Sequence, residues 1–163
     1  MSASLEAFLD IETTGLSAGN CDITVVGIYL TNGKKNRFIQ LVGDRVTGDN
    51  LLEILQGASV IYTYNGMRFD LPFIYRRLGV DLTAMYKHCD LMFNCWDKNL
   101  YGGMKSVEVQ LNIPRRLKEI DGLEAIRLWW RYVNNYDEKA LALLLEYNKE
   151  DVVNLKALRD KLL

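Results

Sequence analysis

The alternation of apolar and polar positions changes character along the chain, and that change predicts the architecture. Residues 5 to 12 alternate as a strand, and CDITVVGIYL and NRFIQLV make two more, separated by the turn signal NGKK. These three predict an antiparallel meander. Asp49 stands where it would cap a short helix, NLLEILQ, that Gly57 ends, and SVIYTYN reads as a further apolar strand. After Asp70, LPFIYRRLG carries a proline in its first turn and a glycine at its end, the punctuation of a helix. A strand near HCDLMF follows. SVEVQLNI reads as a helix, another opens at the D-x-x-E pair of Asp121 and Glu124, and a long one runs from about Glu138 to Leu162. Antiparallel strands first, then a mixed sheet with helices packed on it, give an α/β layered domain.

The last helix has an apolar stripe at Ala140, Leu144, Tyr147, Leu155, Leu158 and Leu162, with one gap. Asp151 fills the gap, a charged side chain where the periodicity calls for a core residue. Either it is solvated at a helix edge or it has a positive partner, and a metal is a partner that would justify the position. Tyr147 lies one turn earlier on the same face.

Two further acidic motifs stand upstream. In a strand, residues i and i+2 share a face, so Asp10 and Glu12 point one way while Leu9 and Ile11 point the other. Two adjacent carboxylates repel, and a divalent cation converts that repulsion into coordination; acids simply facing water are the competing reading. Asp70, directly before Leu71-Pro72, is placed either as a helix cap or as a metal-supporting acid acting through water, roles that are compatible. Asn65 and Gly66 end a strand, where α/β proteins place ligands, or simply form the turn.

Composition narrows the frame. With 163 residues, 49% hydrophobic and 25% charged, and only two prolines, the chain is expected to form one globular domain over residues 1–163. No stretch approaches a membrane span, and MSASLEAFL lacks the pattern of a signal peptide, so a cytoplasmic protein without a membrane partner is expected. Cys21, Cys89 and Cys95 lack metal-ligand spacing and His88 is the one histidine, which excludes a zinc cluster. The net charge of −1 excludes a strongly basic non-specific nucleic-acid binder. It does not exclude phosphate binding, because bound cations reverse the sign of an acidic cleft.

Taken together, DIETTGL, YNGMRFDLP and YNKEDVVNL resemble motifs I, II and III of the DEDD (DnaQ-like) 3′-to-5′ exonuclease superfamily, which has a ribonuclease-H-like fold. The wording is closest to the YprB-like ribonuclease-H-like branch and to the proofreading domain of family B polymerases. The resemblance covers nearly the whole chain, since GGMKSVEVQLNI and the helix before the third motif match in order and character. The third motif has Glu146 where the histidine subtype has its histidine, while Tyr147 and Asp151 meet the Y-x-x-x-D of the tyrosine subtype, DEDDy. His88 then has no catalytic role.

The resemblance implies two divalent cations, Mg²⁺ or Mn²⁺. Asp10 would bridge them, Glu12 and Asp151 would help hold the one that activates water, and Asp70 would support the second. Tyr147 would orient the attacking water or accept its proton. Substrate would be nucleic acid, DNA or RNA, with a free 3′ end, releasing nucleoside 5′-monophosphates. Its terminal sugar and base would meet the backbone around Thr13, Thr14, Gly15 and Leu16, with Asn65 nearby. A helicase, a polymerase or another nucleic-acid-processing protein is compatible as a partner.

Outside these motifs the reading is plainer. Phe69, Phe73, Trp129 and Trp130 sit in helical patterns that favour core packing over base stacking. Arg115, Arg116 and Lys118 form the densest basic run, read as a solvated face with phosphate guidance as the alternative. Lys105, beside Ser106 at a helix start, is the better phosphate candidate. Two alternatives to an exonuclease stay open: a catalytically silent nucleic-acid-binding or interaction module, and a structure-selective endonuclease on the same fold.

Overall fold

A computed structural model describes residues 3–163 of the protein. Three strands, β1 (Leu5–Thr13), β2 (Ile23–Thr31) and β3 (Asn36–Val42), form the expected meander, with every pair antiparallel. Helix α1 (Gly48–Leu55) leads into β4 (Ala58–Thr63), which lies parallel to β1. Helices α2 (Asp70–Leu78) and α3 (Leu82–Met85) lead to β5 (Lys87–Asp90), parallel to β4. The remaining chain is helical: α4 (Leu91–Asp97), α5 (Met104–Gln110), α6 (Gly122–Asn135) and α7 (Glu138–Leu162). The five-stranded mixed sheet has the order β3-β2-β1-β4-β5, so β1 is central.

Strand alternation divides β1 between two cores. Ala7, Leu9 and Ile11 pack on one face with Leu51 and Leu55 of α1 and with Leu71, Phe73 and Ile74 of α2. Phe8 packs on the other face with Leu155, Leu158 and Leu162 of α7, and it stacks on Tyr62 with ring centroids 4.9 Å apart. A third cluster joins Ala125 and Leu128 of α6 to Leu144 and Tyr147 of α7. The apolar stripe of α7 is therefore what seats this helix across the sheet, and its polar gap falls over the end of β1.

Several expected boundaries shift for local reasons. Thr47, not Asp49, caps α1, because its hydroxyl accepts from the Asn50 amide at 3.1 Å. The strand around HCDLMF ends at Asp90, whose carboxylate caps the next residues into α4. Asn112, at φ 56°, turns the chain out of α5 before the end of SVEVQLNI. Phe73 is core, but Trp130 is 43% exposed, contrary to the packing expected of it. Cys21, Cys89 and Cys95 are free thiols. Among the described residues, no helix is long and apolar enough to cross a membrane.

Candidate metal centre

Asp10 and Glu12 leave β1 on the face covered by α7, and Asp151 meets them from that helix. One carboxylate oxygen from each of the three lies within 4.8 Å of the others. The close approach of helix and strand depends on Gly27, the β2 residue opposite Asp10. A Cβ there would stand 2.1 Å from Asn148 Oδ1 and 2.9 Å from Val152 Cγ2. Asn148 uses that space: fully buried, it donates from Nδ2 to the Asp10 carbonyl oxygen at 3.2 Å and to Asp10 Oδ2 at 3.4 Å, while its Oδ1 accepts from Gln40 at 2.9 Å.

The carboxylates disturb one another as three crowded acids should. Burial, followed by the charge of Asp151, holds the carboxyls of Asp10 and Glu12 well above their ordinary values. Burial raises Asp151 to about 6, although Arg115 opposes it. A self-repelling set of oxygen donors, Glu12 buried and Asp10 and Asp151 half-buried, fits a hard divalent cation such as Mg²⁺ or Mn²⁺, which would neutralise the repulsion and satisfy the lone pairs together.

Asp70 stands behind this trio. It is not a helix cap: Phe69 occupies the cap position without a side-chain bond, and Asp70 begins α2 with its Oδ2 accepting the Ile11 amide at 3.1 Å. The carboxylate turns toward β1 because that buried amide needs an acceptor. Burial raises it to about 7 despite this bond, and it contributes to the raised carboxyls of both Asp10 and Glu12.

The turn before Asp70 is organised by Asp90, which sequence reasoning did not single out. Its carboxylate oxygens accept from the amides of Asn65 at 2.8 Å and Met67 at 3.1 Å, and also from Met92 at the start of α4 at 3.1 Å. An acid at a strand end followed by an apolar helical run was the available signal. Asn65 adopts φ 61° in this turn, and Asn65 Oδ1 is buried with no hydrogen-bond partner among the described residues.

Tyr147 lies under the acids, 7% exposed, with Lys105 Nζ 5.4 Å and the Arg115 guanidinium 6.0 Å from its ring centroid. Burial first, then Asp151, Glu12 and Asp10, push its phenol far up. It therefore stays protonated at neutral pH and suits orienting water better than accepting a proton as a phenolate. Lys105 reaches the same wall, but its amine already donates to the carbonyls of Ile120 and Lys118.

The β1–β2 loop forms the other wall. Thr13 Oγ1 donates to the Gly15 carbonyl at 2.6 Å, and the Thr14 side chain accepts from the Asp22 amide at 2.9 Å, so both hydroxyls brace the loop. Gly15 fits because a Cβ would stand 2.7 Å from Cys21 Sγ. Leu16, 87% exposed, overhangs a cavity of about 350 Å³ whose floor is acidic and whose rim includes Phe69, Leu123 and Ile126. An acidic floor beneath an apolar rim suits a nucleotide, with phosphate toward cations and base toward carbon.

Arg115 departs furthest from expectation. It is buried, not solvated: Nε and Nη2 donate to Glu108 at 2.7 and 3.1 Å, and Nη2 donates to Asp151 Oδ1 at 2.5 Å. Arg116 does face water, paired with Glu146 at 2.6 Å. Glu108, also missed, was signalled by a charge on the stripe of Met104 and Leu111. His88 sits in β5, with Nε2 2.9 Å from Thr63 Oγ1, and takes no part in the acidic group.

The profile of the RNase H superfamily matches residues 7–163. None of the curated proteins matches the chain. Among solved structures, the family B DNA polymerase of the archaeon Pyrobaculum calidifontis is 17% identical with a TM-score of 0.74, covering 98% of this chain and 24% of the polymerase. The chain thus spans about a quarter of that relative. A protein described as the apo form of a nuclease is 22% identical, TM-score 0.63, with 98% of this chain and 71% of that one covered. NrnC of Brucella melitensis, in a structure with bound Mg²⁺, is 19% identical with a TM-score of 0.51, covering 94% of this chain and 81% of NrnC. At these identities the likeness shows the fold.

Proposed function

The chain belongs to the RNase H superfamily, and from that premise we propose that it is a metal-dependent 3′-to-5′ exonuclease of the DEDDy type, hydrolysing DNA or RNA to nucleoside 5′-monophosphates. The observation that carries this reading is the convergence of Asp10, Glu12 and Asp151 on one point, with Tyr147 one helical turn from Asp151.

Asp10, Glu12 and Asp151 would hold the divalent cation, Mg²⁺ or Mn²⁺, and Asp70, bonded to the backbone of Ile11 behind them, would support a second. Bound cations of this kind supply charge neutralisation for the phosphate and a more acidic water. The protein supplies placement. Leu16 and Phe69 at the rim would hold the terminal base, and the Thr13–Leu16 backbone would meet the sugar. Lys105, on the adjoining cavity with Tyr147 and Asp151, would lie on the phosphate side, with Asn65 assigned to the turn beyond. The Tyr147 hydroxyl, kept protonated by burial, orients the attacking water. The water oxygen bonds to phosphorus as the bond to the 3′ oxygen of the preceding nucleotide breaks, and that oxygen gains a proton.

The test uses end-labelled DNA and RNA oligonucleotides with Mn²⁺ or Mg²⁺, resolving products by length. Mononucleotides and a ladder shortening from the 3′ end are expected, with stalling at a blocked 3′ terminus. Cutting of a closed circular strand would replace this reading with an endonuclease, and binding without cleavage would replace it with a silent module.

A further inference from the structure

The Arg115 guanidinium is held on one side by Glu108 and bonded on the other to Asp151, with Arg115 and Glu108 side chains only 4% and 2% exposed. Asn154 fixes the arrangement from α7, donating to Glu108 Oε2 at 2.5 Å and to the Pro114 carbonyl at 3.2 Å. Glu150 anchors the following backbone, accepting from the amides of Arg116 and Leu117 at 2.8 Å each. An arginine clamped in this way cannot swing out to follow a substrate. Only Asp151 Oδ1 is engaged by it, which leaves Oδ2 without this bond.

A histidine ligand is strengthened by donating to its supporting group, but an ionised carboxylate ligand can only accept, so its support is always a donor. A guanidinium is a fully charged donor: it withdraws negative charge from the carboxylate and repels a second cation sharing it. Resting on the metal centre proposed above, we propose that Arg115 is a positioning residue that acts as a fixed internal counter-ion. It holds Asp151 in place in the metal-free protein and lowers the affinity of the site for its divalent cation. Glu108 sets the strength of this effect by sharing the guanidinium charge, so the pair tunes the site between repulsion of its own acids and overly tight cation retention.

Isothermal titration calorimetry with Mn²⁺ alone, without substrate, tests this on the full chain. Replacing the pair together, Arg115→Met with Glu108→Gln, avoids stranding a buried charge and is expected to tighten Mn²⁺ binding at least about tenfold. Arg115→Lys should return the affinity toward wild type. Glu108→Gln alone removes the nearer of the two other carboxylates on the guanidinium, leaving Glu150 Oε1 3.8 Å from Nη1, so more of its charge falls on Asp151 and Mn²⁺ binding should weaken by about tenfold; this arm decides the matter should the double variant fail to fold. A pair that merely fastens residues 113–117 to the helices predicts wild-type affinity in every folded variant, and that result, or weaker binding in the double variant, overturns the proposal. Wild-type protein that binds no Mn²⁺ sinks the metal centre itself, an outcome distinct from wild-type binding that the variants leave unchanged.

Discussion

Gly27 and Asn148 meet with no room for a side chain between strand and helix: a Cβ on Gly27 would lie 2.1 Å from Asn148 Oδ1. Since Asn148 also bonds the backbone and carboxylate of Asp10, this contact sets the distance between the acids of β1 and the acid of α7. Gly27→Ala is expected to destabilise the protein by about 1–3 kcal/mol, the usual scale of overpacking, and to weaken the response to Mn²⁺. Urea unfolding with and without Mn²⁺ measures both. A wild-type midpoint would show that the helix can shift without consequence.

The raised carboxyls fix a pH dependence. Asp70 and Asp151 lie at about 7 and about 6, with Asp10 and Glu12 also raised, so the native state binds more protons than the unfolded chain above the ordinary value of 3.8. The free energy of unfolding of the metal-free protein should therefore fall as pH rises from about 4 to about 7. The lowered carboxyls of Asp137 and Asp160 act below this window; the His88 imidazole, lowered by burial, acts within it in the opposite sense, one group against four. Thermal melts in chelator across the window check the slope. Millimolar Mn²⁺ should raise the melting temperature and flatten the slope, and Asp10→Asn should weaken the Mn²⁺ response while stabilising the metal-free form. Stability that rises with pH through the window contradicts this account.

Tyr147→Phe removes one hydroxyl and no carboxylate. Metal binding is expected to persist while turnover falls by about 10²-fold, the scale of a reacting group displaced from its productive position. Asp151→Asn should lower both. Calorimetry and product formation on the same two variants separate the roles, and full activity in Tyr147→Phe would leave this residue a core tyrosine only.

Asp90 accepts three amides at the turn before Asp70. Asp90→Ala leaves those donors without their acceptor and should cost about 3 kcal/mol of stability, read by urea unfolding. The same variant should lose activity because the turn carrying Asn65 and leading to Asp70 loses its anchor. A stability loss without any loss of turnover would place Asp90 outside the site's support.

The sheet, its meander and the span of α7 were legible because each rests on periodicity, and the gap at Asp151 in an otherwise apolar stripe pointed to the centre directly. What was hidden depends on contacts between distant residues. Asp70 looked like a cap because its neighbours are Leu71 and Pro72, whereas its partner is the amide of Ile11, beyond any local pattern. Arg115 looked solvated because it sits in a basic run; its burial follows from Glu108 and Asp151, on two different helices. Gly27 carried no signal within its strand, since its reason is a side chain from α7.

The acids of β1 and the acid of α7 come from near opposite ends of the sequence, and Tyr147 and Asn148 arrive with the second of them. A growing polypeptide on the ribosome therefore holds only Asp10, Glu12 and Asp70 until α7 emerges and docks. The metal site proposed for these acids would stay incomplete on the ribosome until α7 has been made and has docked on the sheet.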